Sequence, residues 1–460
     1  MAAGVRARPV SPAAVGDPVP GAEVELDIDA IAAGGEGVGR TAEGRVVFVA
    51  RTAPGDRVAA TLRQVRPRWA RATLERVLRP GPERHEPPCP LYDRCGGCDL
   101  QHLAAPAQRA AKRDIVRQAL RRIGGVAPEV GAVETAGEDL GYRNRLRFTL
   151  RRDGEEESRV TAGFHRLAAP SEVLDVPDCP LGEAALRQAW RALRDAWGPG
   201  AAALPGGSEL QVTLRTGADG ALALHVRGGD PARPGDPAAV RAALPGLSSY
   251  VWDDASGGRS VPVGDATWPD RWDGIEFRLG PEVFLQANRA VARRIDEALE
   301  EFAAPLTGLR VSDLYAGAGA RAIRWARAGA EVTAVELDRV ACEAGRAAAE
   351  RAGARLRFLR GRVEDLLPRV LAADLVIANP PRAGMTAPVT AALAAAERPR
   401  RLACVSCDPA TLARDLGRLA PTWRVDEVRV YDAFPQTGHV ETVAFLRRRE
   451  DADHPREGTP

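Results

Sequence analysis

From Pro281 onward, short apolar runs alternate with helical patterns, and this alternation constrains the fold more than any single residue. Runs at Val311–Leu314, Val332–Val335, Leu356–Leu359, Asp374–Ala378, Leu402–Val405, Val425–Tyr431 and Val440–Leu446 read as strands, with helical patterns between the first six. Strands alternating with helices stack into a mostly parallel sheet covered on both faces. An α/β, doubly wound sheet over residues 281–447 is therefore expected, its last two strands forming a hairpin. Ligands of such sheets bind beyond the carboxyl ends of the strands.

Several chemically useful residues fall at those ends. The run Leu402–Val405 stops at Ser406-Cys407-Asp408-Pro409, and a helical pattern follows. Cys407 thus sits on a strand-to-helix turn, where a helix N-terminus favours a thiolate; it reads as a nucleophile or as a small buried hydrophobe. Asp313-Leu-Tyr315-Ala-Gly317-Ala-Gly319 follows the first strand without a G-x-G-x-x-G dinucleotide fingerprint. Glu336 ends the second strand, where a carboxylate can accept ribose hydroxyls. Loop and carboxylate together point to S-adenosylmethionine. Asn379-Pro380-Pro381-Arg382 ends the fourth strand, its prolines leaving side chains and carbonyls to line a pocket. Glu441 enters the last strand beside Val443-Ala444-Phe445-Leu446, as a general base or as a solvent-facing residue.

The seven cysteines are too few and too unevenly spaced for a secreted disulfide scaffold. Cys89, Cys95 and Cys98 follow a C-x5-C-x2-C spacing, and Cys179, in a proline-bounded loop, is the candidate fourth ligand. Four thiolates suit zinc or an iron–sulfur cluster, and the spacing alone names neither. It is not C-x3-C-x2-C, which argues against radical chemistry. Cys342 and Cys404 are expected in helix and core packing.

Upstream, Glu23–Ile28, Arg45–Val49, Asp56–Leu62 and Trp69–Val77 alternate as short strands, with Gly34–Gly39 as a turn, which suggests a small β-barrel over residues 21–80. Net charge is only +2, so bulk charge does not announce nucleic acid, but its distribution does. Arg63, Arg66, Arg68, Arg71, Arg76, Arg79 and Arg84 share their stretch with only Glu75 and Glu83, and Arg143, Arg145, Arg147, Arg151 and Arg152 form a second cluster. Lys112, the only lysine, reads as codon bias. A helix over Pro106–Arg122 and strands at Tyr142–Arg151, Val160–His165, Leu210–Arg215 and Ala221–Val226 predict an α+β domain over 81–280. Residues 1–20 and 448–460 read as tails. No apolar run reaches the roughly 20 residues of a membrane span, and residues 1–20 lack a leader's apolar core. A cytoplasmic monomer without a membrane partner is expected.

Gln286 (Glu282-Val-Phe-Leu-Gln286-Ala-Asn288), Asp313–Gly319, Glu336, NPPRAG, Ser406-Cys407-Asp408-Pro409-Ala-Thr-Leu-Ala-Arg-Asp and His439-Val-Glu441-Thr together resemble the RNA uracil-5-methyltransferase family, over nearly all of Val24 to Arg447. The barrel resembles a TRAM domain, a small RNA-binding module. The resemblance implies a Rossmann-like class I methyltransferase domain behind a TRAM/OB-like barrel and an α+β central domain. It implies methylation of uridine C5 in RNA, with Cys407 adding to C6 and Glu441 taking the C5 proton. Gln286, Tyr315, Gly317, Glu336 and Asn379 would bind S-adenosylmethionine and the pyrimidine, and Cys89, Cys95, Cys98 and Cys179 a [4Fe–4S] cluster. Barrel and cysteines together resemble the ribosomal RNA branch more than the transfer RNA branch. Three positions depart from the family: Asn379 stands where aspartate is usual, Arg362 where an acidic residue is common, with Glu364 or Asp365 as substitutes, and Ala316 where a cysteine often follows the aromatic residue. Two other readings compete: an exocyclic-amine methyltransferase using the Asn-Pro-Pro-Arg loop, and a non-catalytic RNA-binding protein that kept the fold.

Overall fold

The computed structural model describes residues 19–153, 159–217 and 219–449. The tails expected over 1–20 and 448–460 lie outside the described residues except for their inner ends, and Arg448 belongs to the last strand instead. The chain divides into two compact units, Met1–His85 and Glu86–Pro460.

In the first unit β1 (Glu23–Ile31), β2 (Gly37–Arg40), β3 (Val46–Val49), β4 (Arg57–Val65) and β5 (Trp69–Arg79) close a barrel in the order β1-β2-β3-β5-β4. Leu26, Ile28, Val47, Val49, Val58 and Leu62 fill it. The glycine stretch expected as a turn is one only at Gly34 and Gly35. From Gly37 it is a strand, because a Cβ at Gly37 would lie 1.9 Å from Thr52 Oγ1 and one at Gly39 2.7 Å from Asp27 O. Asp56 is fully buried. Burial raises its carboxyl, but Arg84 and the N–H groups of Ala53 and Gly81 outweigh that and hold it below the usual range. Strand pairing brings acids from elsewhere beside some of the arginines counted in the sequence: Arg71 meets Glu36, Arg76 meets Glu23 and Arg79 meets Asp27, all at the exposed surface.

The second unit opens with α1 (Ala105–Ala119) and β6 (Val130–Glu134). A seven-stranded sheet follows, built from β7 (Arg145–Asp153), β8 (Arg159–His165), β9 (Val173–Asp175), β10 (Glu209–Thr216), β11 (Leu222–Gly228), β12 (Leu247–Asp253) and β13 (Arg259–Gly264). Its order is β13-β12-β11-β10-β7-β8-β9. Phe148, Leu150, Val212 and Val226 pack with α2 (Ala184–Ala196) and α3 (Pro237–Ala243), Phe148 stacking on Trp190 at 3.8 Å. Period-two alternation sends Arg145, Arg147 and Arg151 to the opposite face. Arg152 instead turns inward onto the carbonyls of Gly200, Ala201 and Gly207.

The hairpin β14 (Trp268–Trp272) and β15 (Ile275–Leu279) and the helix α4 (Arg289–Ala303) precede the third layer. There β16 (Arg310–Leu314), β17 (Glu331–Glu336), β18 (Arg357–Arg360), β19 (Leu375–Ala378), β20 (Arg401–Ser406), β21 (Trp423–Tyr431) and β22 (Glu441–Arg448) form the expected sheet. Between them run α5 (Ala320–Arg327), α6 (Arg339–Arg351), α7 (Val363–Val370), α8 (Ala387–Ala395) and α9 (Pro409–Leu419). All four side chains of β19 are buried, as a strand covered on both faces requires. The order is β18-β17-β16-β19-β20-β22-β21-β6. Two features cross the boundary drawn at residue 280. β6 pairs in parallel with β21 as an eighth strand, and the β14–β15 hairpin packs Trp268, Ile275 and Phe277 against Ile323, Ala341 and Ala348 of α5 and α6.

Candidate active site

The order in which the chain adds strands reverses between β16 and β19, which pair in parallel, and the residues singled out in the sequence gather around this end of the sheet. After β16 the backbone takes left-handed conformations at Tyr315 (φ 61°), Gly317 (φ 59°) and Gly319 (φ 71°) before α5 begins. A cavity of about 120 Å³ opens here, lined by Gln286, Tyr315, Gly317, Gly319 and Asn379 among others. Behind it, Arg321 bonds Asp296 at 2.7 Å and approaches Asp313 at 3.5 Å, while burial pushes the Asp313 carboxyl up to about 6. Glu336 is beside this cavity and already accepts three backbone N–H groups: Gly317 at 2.8 Å, Leu337 at 2.7 Å and Asp338 at 2.8 Å. With about four lone-pair sites on a carboxylate, it has room for one further donor, so it both shapes the loop and can meet a ribose. Of the two acids weighed as substitutes at the end of β18, Glu364 is the one whose charge reaches Tyr315.

Cys407 follows β20 and is half-buried. Asp408 caps α9 by accepting the Thr411 N–H at 2.8 Å, and Pro409 starts the helix. The expectation that the helix N-terminus lowers the thiol is not met. Burial, and then the charge of Glu441, raise it, while Arg382 pulls it down by charge and hydrogen bonding. Glu441, the first residue of β22, is 4% exposed. Burial lifts its carboxyl to about 7, and again Arg382 is the group that opposes the lift. Thiol, carboxylate and guanidinium therefore form one electrostatic set, drawn from the turn after β20, the start of β22 and the loop after β19. Arg382 was legible only as part of a proline-rich loop, and its role appears once the strand order is known. Cys404, two residues into the core from the turn, is buried, as is Cys342 in α6.

The four upstream cysteines also converge. Cys89, Cys95, Cys98 and Cys179 line one cavity of about 310 Å³ together with Arg143, Arg145 and Arg147. Burial, then the neighbouring thiols, push Cys98 up to about 12 despite Gln101 and Arg143, and Cys179 to about 11. Among the described residues, no three His, Cys, Asp or Glu side chains close on a single-ion site. No helix among them is long and apolar enough to cross a membrane.

Comparison with known proteins gives consistent matches. Residues 273–449 match the tRNA (Uracil-5-)-methyltransferase family model and residues 19–74 the TRAM domain. The chain is 34% identical to a 23S rRNA (uracil(1939)-C(5))-methyltransferase of Pseudomonas putida, covering 93% of this chain and 94% of that protein. It is 31% identical to a protein of the same description from Thiobacillus denitrificans, over 92% and 99% of the two chains. In fold it is similar to the Pyrococcus abyssi tRNA (uracil-54, C5)-methyltransferase solved with S-adenosyl-L-homocysteine, with a TM-score of 0.70 at 24% identity, covering 92% of this chain and all of that one.

Proposed function

The chain belongs to the RNA uracil-5-methyltransferase family, and from that premise we propose that it methylates C5 of a uridine in 23S ribosomal RNA through a covalent bond between Cys407 and C6. Membership makes it an S-adenosylmethionine-dependent RNA methyltransferase with a TRAM domain, and removes the amine-methylating and non-catalytic readings.

The observation that carries the mechanism is the mutual electrostatic coupling of Cys407, Glu441 and Arg382, the first and last of which follow the cavity-lining Val405 and Asn379 by two and three residues. Uracil C5 is a poor nucleophile. Attack of the Cys407 thiolate on C6 makes C5 enolate-like, and S-adenosylmethionine supplies the methyl group to C5. Glu441 then takes the C5 proton, the Sγ–C6 bond breaks, and the thiolate is restored. A base lifted to about 7 is tuned to neutral pH. Arg382 lets a thiolate and a carboxylate coexist in a half-dry site. Gln286, Tyr315, Gly317 and Glu336 bind the methyl donor, and Asn379 accepts from N3–H and donates to O4 of a base flipped from its stack.

For the upstream thiols we propose a [4Fe–4S] cluster on Cys89, Cys95, Cys98 and Cys179. One zinc about 2.3 Å from each sulfur would draw four thiols tightly together, whereas these ring a roomy cavity. Binding such a centre must displace the protons that burial holds on Cys98 and Cys179. Anaerobic protein that is colourless and carries zinc would reject the cluster.

Ribosomal RNA is favoured over transfer RNA by the two bacterial relatives described as 23S enzymes. Arg145 and Arg147, on the face of the central sheet opposite α2 and α3, offer contacts to phosphates, and such a substrate implies the cytoplasm. Mapping 5-methyluridine across total RNA from a deletion strain tests the assignment. One 23S uridine should lose its methyl group and regain it with the wild-type chain but not with Cys407→Ala; a loss confined to transfer RNA refutes it.

A further inference from the structure

The loop Asp432–Val440 joins β21 to β22 and delivers Glu441, yet most of its polar partners come from residues 99–142. The Gln436 carbonyl accepts the N–H groups of Asp99 and Leu100, both at 3.0 Å, and the Gly438 N–H donates to Asp99 Oδ2 at 3.3 Å. Gln108, buried in α1, accepts the Gln436 N–H at 3.0 Å through Oε1 and donates through Nε2 to Gln436 Oε1 at 3.0 Å and to Leu103 O at 2.9 Å. Lys112 Nζ donates to Asp432 Oδ1 at 2.5 Å and to Phe434 O at 3.0 Å, and Tyr142 donates to Pro435 O at 3.0 Å. Gln436 itself is buried with a left-handed backbone (φ 71°). A non-glycine residue stays in that region only where its surroundings over-determine it.

The residues on the other side of these bonds are those that present the thiols. Asp99 follows Cys98. Tyr92, between Cys89 and Cys95, donates to Asp99 O at 2.7 Å and meets His102 Nδ1 at 2.6 Å, and the Cys89 N–H donates to Gln101 Oε1 at 3.1 Å. None of these bonds involves Cys407, which sits beside the Asp408 cap of α9.

We propose that Asp99, Gln108 and Gln436 are positioning residues: they clamp the thiol-bearing loop to the Glu441 loop, so that gathering the four thiols on one centre orders the base. The proposal rests on Glu441 being that base and on the four thiols holding a metal centre. Because none of the clamp's bonds reaches Cys407, losing them leaves its attack and the methylation of C5 intact and slows only proton removal and release of the RNA.

The test uses the full-length chain with its metal centre and after chelation, together with Gln108→Leu and Gln436→Gly. The second variant suits the left-handed backbone and removes only the side-chain bridge, so it keeps the test open if the first does not fold. In single turnover, methyl transfer is expected to stay within about threefold of the parent while release of the covalently held RNA slows at least about tenfold, below the full 10²–10⁴-fold of a missing base. Faster amide hydrogen exchange over 432–440 should accompany it, in both variants and in the chelated protein. Unchanged exchange, or RNA release at the parent rate, overturns the clamp. Glu441→Gln is the reference: it should hold methylated RNA covalently, and free release from it removes the premise instead.

Discussion

Replacing Glu441 by glutamine should make the protein more stable, and more so the higher the pH. The carboxyl is 4% exposed, and burial raises it from 4.5 to about 7. Below pH 4.5 it is protonated in folded and unfolded chains alike and contributes nothing. Between 4.5 and 7 the folded state binds more protons than the unfolded state, so stability falls as pH rises. Above 7 the folded chain carries the full cost of a buried carboxylate. Over the roughly 2.5 pH units between the two values, at about 1.36 kcal/mol each, that cost is about 3 kcal/mol. Glutamine keeps the shape and cannot ionise. Urea melts of parent and Glu441→Gln at pH 5, 6, 7 and 8 should therefore diverge, from little difference at pH 5 to a gain of about 2–3 kcal/mol for the variant at pH 8, while its turnover is lost. Other titrating groups are common to both proteins and cancel. A stability difference that is flat across this range would refute the reasoning, because it would mean that Glu441 is ionised in the folded protein throughout.

Three other outcomes follow from the geometry. RNA carrying 5-fluorouridine has no C5 proton to lose, so with S-adenosylmethionine it should give a cross-linked band on a denaturing gel that Cys407→Ala abolishes; a band that survives the substitution assigns the nucleophile elsewhere. Lys112→Met leaves Asp432 buried without its cation and should cost about 3–5 kcal/mol by urea melts, whereas Lys112→Met with Asp432→Asn should recover most of that; equal loss in both would show that packing, not charge, matters there. Gly319→Ala places a methyl group 2.6 Å from Phe358 Cζ at a φ of 71°, so S-adenosylhomocysteine measured by calorimetry should bind at least about tenfold more weakly, a loss of about 1.4 kcal/mol or more; unchanged affinity would mean that the loop adjusts.

What was legible in the sequence, and what was not, follows from the range of the forces involved. The strands of this sheet were readable where a short apolar run recurs between helical patterns, most plainly at β19 and β20, and Cys407 and Glu441 were readable because one ends such a run and the other interrupts one. β6 was not: Val130–Glu134 has two valines within reach of β21, and its strand character comes from a partner some three hundred residues away. Arg84 counted as a phosphate ligand on local charge, but it neutralises Asp56, whose burial only the closed barrel creates. The helix N-terminus suggested a lowered Cys407 thiol, whereas its surroundings impose burial and a facing carboxylate. Arg382 was noticed only as the end of a proline loop for the same reason: its charge meets Cys407 and Glu441 only once β19 is placed beside β20.

The side chain of Lys112 is fully buried, and it is the only lysine in a sequence otherwise supplied with arginine. The one side-chain amine that an amine-directed reagent can meet is therefore hidden in α1. Acylation of Lys112, followed by peptide mass mapping, then counts openings of α1 away from the Asp432 loop, giving a chemical clock for that motion without any engineered residue.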